Sequence, residues 1–129
     1  VGKMFIQPHV KLESGEKVLL DEVIGNDFAI IAWGVDPQWG ISETTMQVWK
    51  NLGVKFIQII PEIQFGNENR KKFDGVITLG DIGTDIRTWF GKTSESVVIL
   101  RPDRFVAALA IPQTLDHISQ QLFKKLHVK

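Results

Sequence analysis

The sequence predicts an α/β domain: a central mixed sheet, built as βαβ and then ββα, flanked by helices and preceded by an extended N-terminal arm. Three observations carry this. The stretch Ser96–Ala110, SVVILRPDRFVAALA, reads as two short buried strands joined by a tight turn. The runs FAIIAW (28–33) and VKFIQII (54–60) bracket a helical stretch that has its own start and stop signals. The chain closes on an amphipathic stripe, Leu115, Ile118, Leu122 and Leu126, at helical spacing.

Met4 to Leu12 is extended, with Pro8 withholding a ladder hydrogen bond and biasing the segment toward an edge or a linker. Residues 1–17 are therefore assigned to an arm or linker and 18–129 to a single domain. Glu13 to Lys17, with Gly15, is a polar turn, and Val18 to Ile24 is a short helix ended by Gly25. Asp27 to Trp33 is a buried strand. Gly34 to Gly40 is a loop with glycine at both ends and proline inside. Ser42 caps a helix that runs to about Leu52: its hydroxyl can accept a first-turn N–H, and Glu43 suits the positive end of the helix dipole. Gly53 stops it, and Val54 to Ile60 is a strand closed by Pro61.

Gln64 to Asp74 is the most polar stretch and reads as a surface loop; Gly75 to Leu79 reads as a short edge strand. Thr84 or Asp85 opens a short helix through Phe90, stopped by Gly91. In the hairpin, Pro102 pre-sets φ for the first central position of the turn, and Asp103 can bond its own backbone at the second. Arg101 and Arg104 flank the turn and are expected to keep its tip in water. The last helix starts near Pro112 to Thr114 and runs to about His127. Asp116 lies near its positive end and Lys124, Lys125 and His127 near its negative end. Two strands joined by a helix make a right-handed parallel unit, the last two strands make an antiparallel hairpin, and the final helix folds back on the sheet. This order is thioredoxin-like; a ferredoxin-like sandwich needs its elements in another order.

At 129 residues the chain is one domain by length and buries roughly two thirds of its unfolded surface. Hydrophobic residues make up 43% and charged residues 23%, ordinary globular usage that argues against disorder. The 15 Lys and Arg balance the 15 Asp and Glu, and a chain with no net charge is a poor fit to a nucleic-acid partner. The apolar runs fall far short of the roughly 20 residues of a membrane-spanning helix. The chain opens on Val1 with no basic segment leading into an apolar core, so no signal peptide is read. Its strand-like opening, VGKMFIQPHV, is expected of a piece cut from a longer protein.

With no cysteine, disulfide chemistry, a thiol redox centre and a thiolate metal site are excluded. In a thioredoxin-like domain the redox pair lies between the first core strand and the next helix. Here that place holds Gly34 to Gly40, with Trp33 and Trp39 and no sulfur. Thr93-Ser94-Glu95-Ser96 stands where active thioredoxins carry a proline before the hairpin. GDIGTDI (80–86) has neither glycine spacing of a phosphate-cradling loop and reads as a loop plus helix cap. His9, His117 and His127 lack ligand-type spacing. Asp81 and Asp85, four apart, fit a solvated helix start better than an acid/base dyad. Ser94 and Ser96 have no nearby histidine in sequence. Arg70-Lys71-Lys72, beside Glu68 and Asp74, reads as a solvated loop. No catalytic, cofactor-binding or metal-ligating residue is assigned. Of the four tryptophans, Trp49 and Trp89 read as core. Trp39, in a Gly/Pro loop, is expected to be exposed and to anchor a partner surface. Arg101, Asp103 and Arg104 join it as a candidate interaction surface.

Gln7-Pro8, Leu19-Leu20-Asp21-Glu22 with Gly25, Phe28 to Gly34, Trp89-Phe90 and Arg101 to Ala108 (RPDRFVAA) stand in one order along nearly the whole chain. In that order the chain resembles the C-terminal domain of class A flavoprotein aromatic hydroxylases, and within them the 3-(3-hydroxyphenyl)propionate hydroxylase group. The resemblance implies a parent that is an FAD-dependent monooxygenase using NAD(P)H and oxygen to hydroxylate a phenolic ring. It places FAD and substrate in an N-terminal portion and makes this domain thioredoxin-like and without redox cysteines. It further implies a cytoplasmic protein whose C-terminal domain contacts the catalytic domains or another subunit, with neither membrane nor nucleic acid as partner. Arg101 and Asp103 match the hairpin motif, where turn formation is the simpler role. A free-standing, redox-inactive thioredoxin-like binding module is the alternative.

Overall fold

The structure, a computed structural model, describes residues 2–65 and 72–126. Its elements are β1 (His9–Lys11), β2 (Lys17–Leu19), α1 (Leu20–Ile24), β3 (Ala29–Trp33), α2 (Glu43–Asn51), β4 (Lys55–Pro61) and α3 (Glu62–Phe65). They continue with β5 (Val76–Asp81), α4 (Asp85–Gly91), β6 (Val97–Leu100), β7 (Val106–Ala110) and α5 (Leu115–Lys125). The described strands form one mixed sheet in the order β2-β1-β5-β4-β3-β6-β7. The β3–β4 and β4–β5 pairs are parallel; the other pairs are antiparallel.

The central strands are near-continuous apolar runs because both faces of the sheet are covered. Along β3, Ala29 and Ile31 point into one core, and Ile30 and Ala32 into the other. The first core is closed by Leu20 and Ile24 of α1 and by Ile86 and Phe90 of α4, with Phe5 from the arm. The second is closed by Trp49 of α2 and by Leu115, Leu122 and Phe123 of α5. Burying each Ile, Leu or Val side chain contributes about 1.5–3 kcal/mol, so the sheet is the main source of stability. Trp49 is fully buried; its indole N–H donates to Ser119 Oγ at 3.0 Å, and its ring meets Phe28 and Phe123 edge-on.

Three local expectations are revised. Val18 to Ile24 is not one helix. Lys17–Leu19 pairs antiparallel with His9–Lys11, Val18 opposite Val10, and only Leu20–Ile24 is helical. Leu20 and Ile24, four apart, are the pair that helix buries. The expected edge strand after Gly75 is interior, since β1 pairs along its outer side with Val10 opposite Asp81. The last helix ends at Lys125, and Leu126, expected in its apolar stripe, is exposed, whereas Ser119 and Phe123 are buried. His127 lies outside the described residues, as do Arg70, Lys71 and most of the polar stretch 64–74.

The arm crosses one face of the sheet from rim to rim. Gly2 N–H donates to Val106 O, Val106 N–H to Lys3 O and Phe5 N–H to Arg104 O, at 2.8–2.9 Å, so the arm begins on the outer side of β7. Phe5 then packs edge-on against Trp89, ring centres 4.7 Å apart. Residues 9–11 finish beside β5 at the other side of the sheet.

Candidate interaction surface

The position between β3 and α2 is a chain of turns. Gly34, at φ 75°, turns the strand out and donates to Ile59 O at 2.8 Å. Asp36 Oδ1 accepts from Gln38 N–H (2.9 Å), Trp39 N–H donates to Asp36 O (3.2 Å) and Ile41 N–H to Gln38 O (3.3 Å). Ser42 Oγ accepts from Thr45 N–H at 3.3 Å, as its N-cap position predicts. The Ser42 N–H in turn donates to Asp116 Oδ1 of α5 at 2.8 Å. That bond, above all others, holds the Asp116 carboxyl below its ordinary value. These bonds fix the path of the loop and leave Trp39 53% exposed.

The segment before β6 closes the same end. Trp33 N–H donates to Ser96 O at 2.9 Å, and the Trp33 ring stacks on Phe90 at 6.3 Å. Glu95 accepts from the Thr93 hydroxyl at 3.0 Å and the Ser94 hydroxyl at 3.2 Å. A shallow pocket of about 280 Å³ lies here, bounded by Trp33, Arg87, Phe90 and Glu95. Both hydroxyls belong to this local turn, where Thr93 Oγ1 also accepts from the Glu95 N–H at 3.2 Å, and no histidine stands beside them in the sequence.

GDIGTDI resolves into the end of β5, a loop and the start of α4. Asp81 and Asp85 do not share a helix face: Asp81 belongs to the strand. Burial raises the Asp81 carboxyl above its ordinary value, against the opposing pull of the Arg87 and Gly83 N–H groups. Of the two expected openers, Thr84 and Asp85, Thr84 holds the N-cap position but its side chain makes no cap bond; the Asp81 carboxylate accepts from the first-turn Arg87 N–H instead.

At the opposite end of β3 and β6 lies the turn 101–104. Arg104 N–H donates to Arg101 O at 2.9 Å and Arg101 N–H to Phe105 O at 3.0 Å. Arg101 and Asp103 are exposed and ion-paired, and Asp103 Oδ1 accepts from Phe105 N–H at 3.2 Å. Desolvation is the largest single influence on its carboxyl and pushes it up, but the Phe105 N–H and Arg101 together outweigh it and hold the group below its ordinary value. Arg104 departs from expectation. It is turned inward, 9% exposed, at φ 72°. Its Nε donates to Asp21 Oδ1 at 2.7 Å, its Nη1 to Pro102 O at 2.7 Å, and its Nη2 to Gly25 O. A type I turn followed by a left-handed residue is a standard hairpin solution, and that last position favours glycine. An arginine there has to gain from its side chain, and this one ties the hairpin to both ends of α1. The lack of glycine or asparagine after Pro-Asp was the signal available in the sequence.

The structure therefore separates the four candidate residues. Trp39 follows the C-terminal end of β3; Arg101, Asp103 and Arg104 lie at the other end, and only the first two of these face solvent. Among the described residues no three His, Cys, Asp or Glu side chains group as a metal site, and no helix is long and apolar enough to cross a membrane.

Comparison with known proteins settles the kinship. The family described as the HcaD C-terminal domain matches residues 2–125. This chain belongs to the HcaD C-terminal domain family. Over 126 residues the domain is 54% identical to the 3-(3-hydroxy-phenyl)propionate/3-hydroxycinnamic acid hydroxylase of Klebsiella pneumoniae subsp. pneumoniae, covering 98% of this chain and 23% of that protein. Over 122 residues it is 52% identical to the enzyme of the same name from Escherichia coli (strain K12 / DH10B), covering 95% of this chain and 22% of that protein. The domain thus spans about a quarter of the length of the curated relatives it matches and corresponds to the C-terminal region of such hydroxylases. Among solved structures it is similar to the C-terminal domain of an uncharacterized protein from Bacteroides fragilis (TM-score 0.72, 14% identity, 95% of this chain and 96% of that one). A thioredoxin-like protein from Bacteroides caccae superposes with TM-score 0.68 at 16% identity, over 96% of this chain and 49% of that one. At such identity these two establish the thioredoxin-like fold alone.

Proposed function

We propose that this HcaD C-terminal domain is a non-catalytic part of a flavoprotein monooxygenase that hydroxylates a phenolic compound such as 3-(3-hydroxyphenyl)propionate, and that it serves contacts between domains or subunits. The observation that carries this is the 54% identity over 98% of the chain to a hydroxylase of which the match covers only 23%. FAD, NAD(P)H and substrate would then belong to the preceding portion. The residues present do not fit a dinucleotide. A flavin pyrophosphate needs a helix N-terminus with free N–H groups. At α2 that position is taken by Ser42 and the Asp116 carboxylate, and at α4 by the Asp81 carboxylate. Either would repel a phosphate.

The test is direct. A reading frame continuing upstream of Val1 into a strand–G-x-G-x-x-G–helix unit, with a purified 129-residue chain that is colourless and does not oxidise NADH, is the expected result. A start codon at Val1 would favour the free-standing binding module, and a yellow, flavin-loaded preparation of this chain would overturn the non-catalytic role. For Trp39 the expected outcome of Trp39→Ala in the longer protein is weakened association between subunits or domains. Unchanged mass in solution and unchanged domain docking would remove Trp39 from the surface.

A further inference from the structure

Building on the reading that a longer hydroxylase precedes this domain, we infer that its docking surface for that preceding portion is the strip Met4–Phe105–Arg101, beside the end of α5. The strip is continuous. Met4 and Phe105 are antiparallel bridge partners. The bonds Phe5 N–H to Arg104 O and Val106 N–H to Lys3 O flank them, which makes theirs the closer, non-hydrogen-bonded type of pair, with side chains adjacent on one face. The Arg101 guanidinium sits over the Phe105 ring at 5.5 Å. The face is the one covered by α5, because Phe5 and Val106, next in sequence, point into the other core. The helix α5 follows β7 and packs on it, so its end brings Leu126 to the same end of the sheet. Met4 is 55% exposed and Leu126 39%. An exposed methionine, a partly buried phenylalanine and an exposed leucine make this end of the domain the apolar surface we assign to the interface.

The occupant follows from where the chain comes in. The arm is pinned to β7 from Gly2 onward by three backbone bonds. The remaining three quarters of a hydroxylase-sized chain would therefore arrive within a few residues of Met4 and Arg101. An adjoining domain tethered that closely meets this strip at high effective concentration, so modest complementarity suffices for docking. The exposed Lys3 beside Met4 adds a positive charge that favours a carboxylate on the facing surface, whereas Arg101 already has the Asp103 carboxylate.

Thiol labelling separates the outcomes. Single Met4→Cys and Ile63→Cys variants are made in the full-length protein and in the 129-residue chain, and the labelled peptides are identified by mass. Ile63, 90% exposed and on α3, is the control. The expected result is maleimide labelling at Met4→Cys at least tenfold slower in the full-length protein than in the short chain, at every protein concentration, with Ile63→Cys equally fast in both. Equal rates at Met4→Cys in a flavin-containing full-length protein would overturn this surface and leave the hydroxylase reading standing. Protection that grows with concentration in the short chain would assign the strip to a second copy and overturn it as well. A gene without a preceding flavin domain would remove both readings together.

Discussion

Replacing Arg104 tests whether the hairpin is held to α1 by one side chain. Arg104→Ala deletes the 2.7 Å charge-assisted bond to Asp21 and the bonds to the Pro102 and Gly25 carbonyls. A hydrogen bond to a charged group contributes about 1.5–3 kcal/mol, and breaking a fully buried ion pair costs about 3–5 kcal/mol. The Arg104 side chain is 11% exposed but that of Asp21 is 35% exposed, so the stranded carboxylate regains water and the upper figure does not apply. The expected loss is about 2–3 kcal/mol by urea denaturation, or roughly 6–15 °C in Tm for a chain of this length. The backbone supplies an internal control. At φ 72° alanine keeps the left-handed strain and glycine does not, so Arg104→Gly should be about 1 kcal/mol less damaging than Arg104→Ala. An alanine variant within about 0.5 kcal/mol of the parent, or a glycine variant less stable than the alanine one, would refute the reasoning.

Two of the perturbed carboxylates, Asp116 and Asp81, should respond to acid with opposite signs. Asp116 is held below its ordinary value of 3.8, so its stabilisation is present above that pH and is lost as pH falls through the lowered value. Asp116→Ala should cost about 1–2 kcal/mol near neutral pH, with the gap to the parent closing in strong acid. Asp81 is raised above 3.8, so its contribution is most favourable when protonated and declines as pH climbs from 3.8 toward the raised value. Asp81→Asn should remove that slope from a plot of unfolding free energy against pH. Trp49→Phe, which leaves Ser119 without its indole partner and opens a gap between Phe28 and Phe123, should cost about 2 kcal/mol in the same denaturation assay.

What could be read in the sequence tracks what is local. Ser42 capped its helix as expected because the cap is settled within three residues. The β3–α2–β4 unit and the RPD hairpin were legible for the same reason: apolar runs bounded by Gly and Pro need no distant partner to be recognised. Elements decided by remote pairing were not legible. Val18 is strand because Val10 lies opposite it, and β5 is interior because β1 reaches it from more than sixty-five positions earlier in the chain. Arg104 was misplaced because its partners, Asp21 and Gly25, are 83 and 79 residues away. Of the candidate surface, exposed Trp39, Arg101 and Asp103 could be named from loop chemistry. Met4 and Phe105 could not, since their adjacency exists only once the arm has crossed the sheet.

That crossing has a practical consequence for anyone trimming the polypeptide. A version starting at residue 13 would strip β5 of its outer neighbour, leave β2 with nothing to pair against, and bare the start of β7. Two naked hydrogen-bonding margins on a single small protein invite intermolecular strand addition. Clumping in the test tube, well before any defect in folding of the inner strands, would be the first sign that the leader had been mistaken for a dispensable tail.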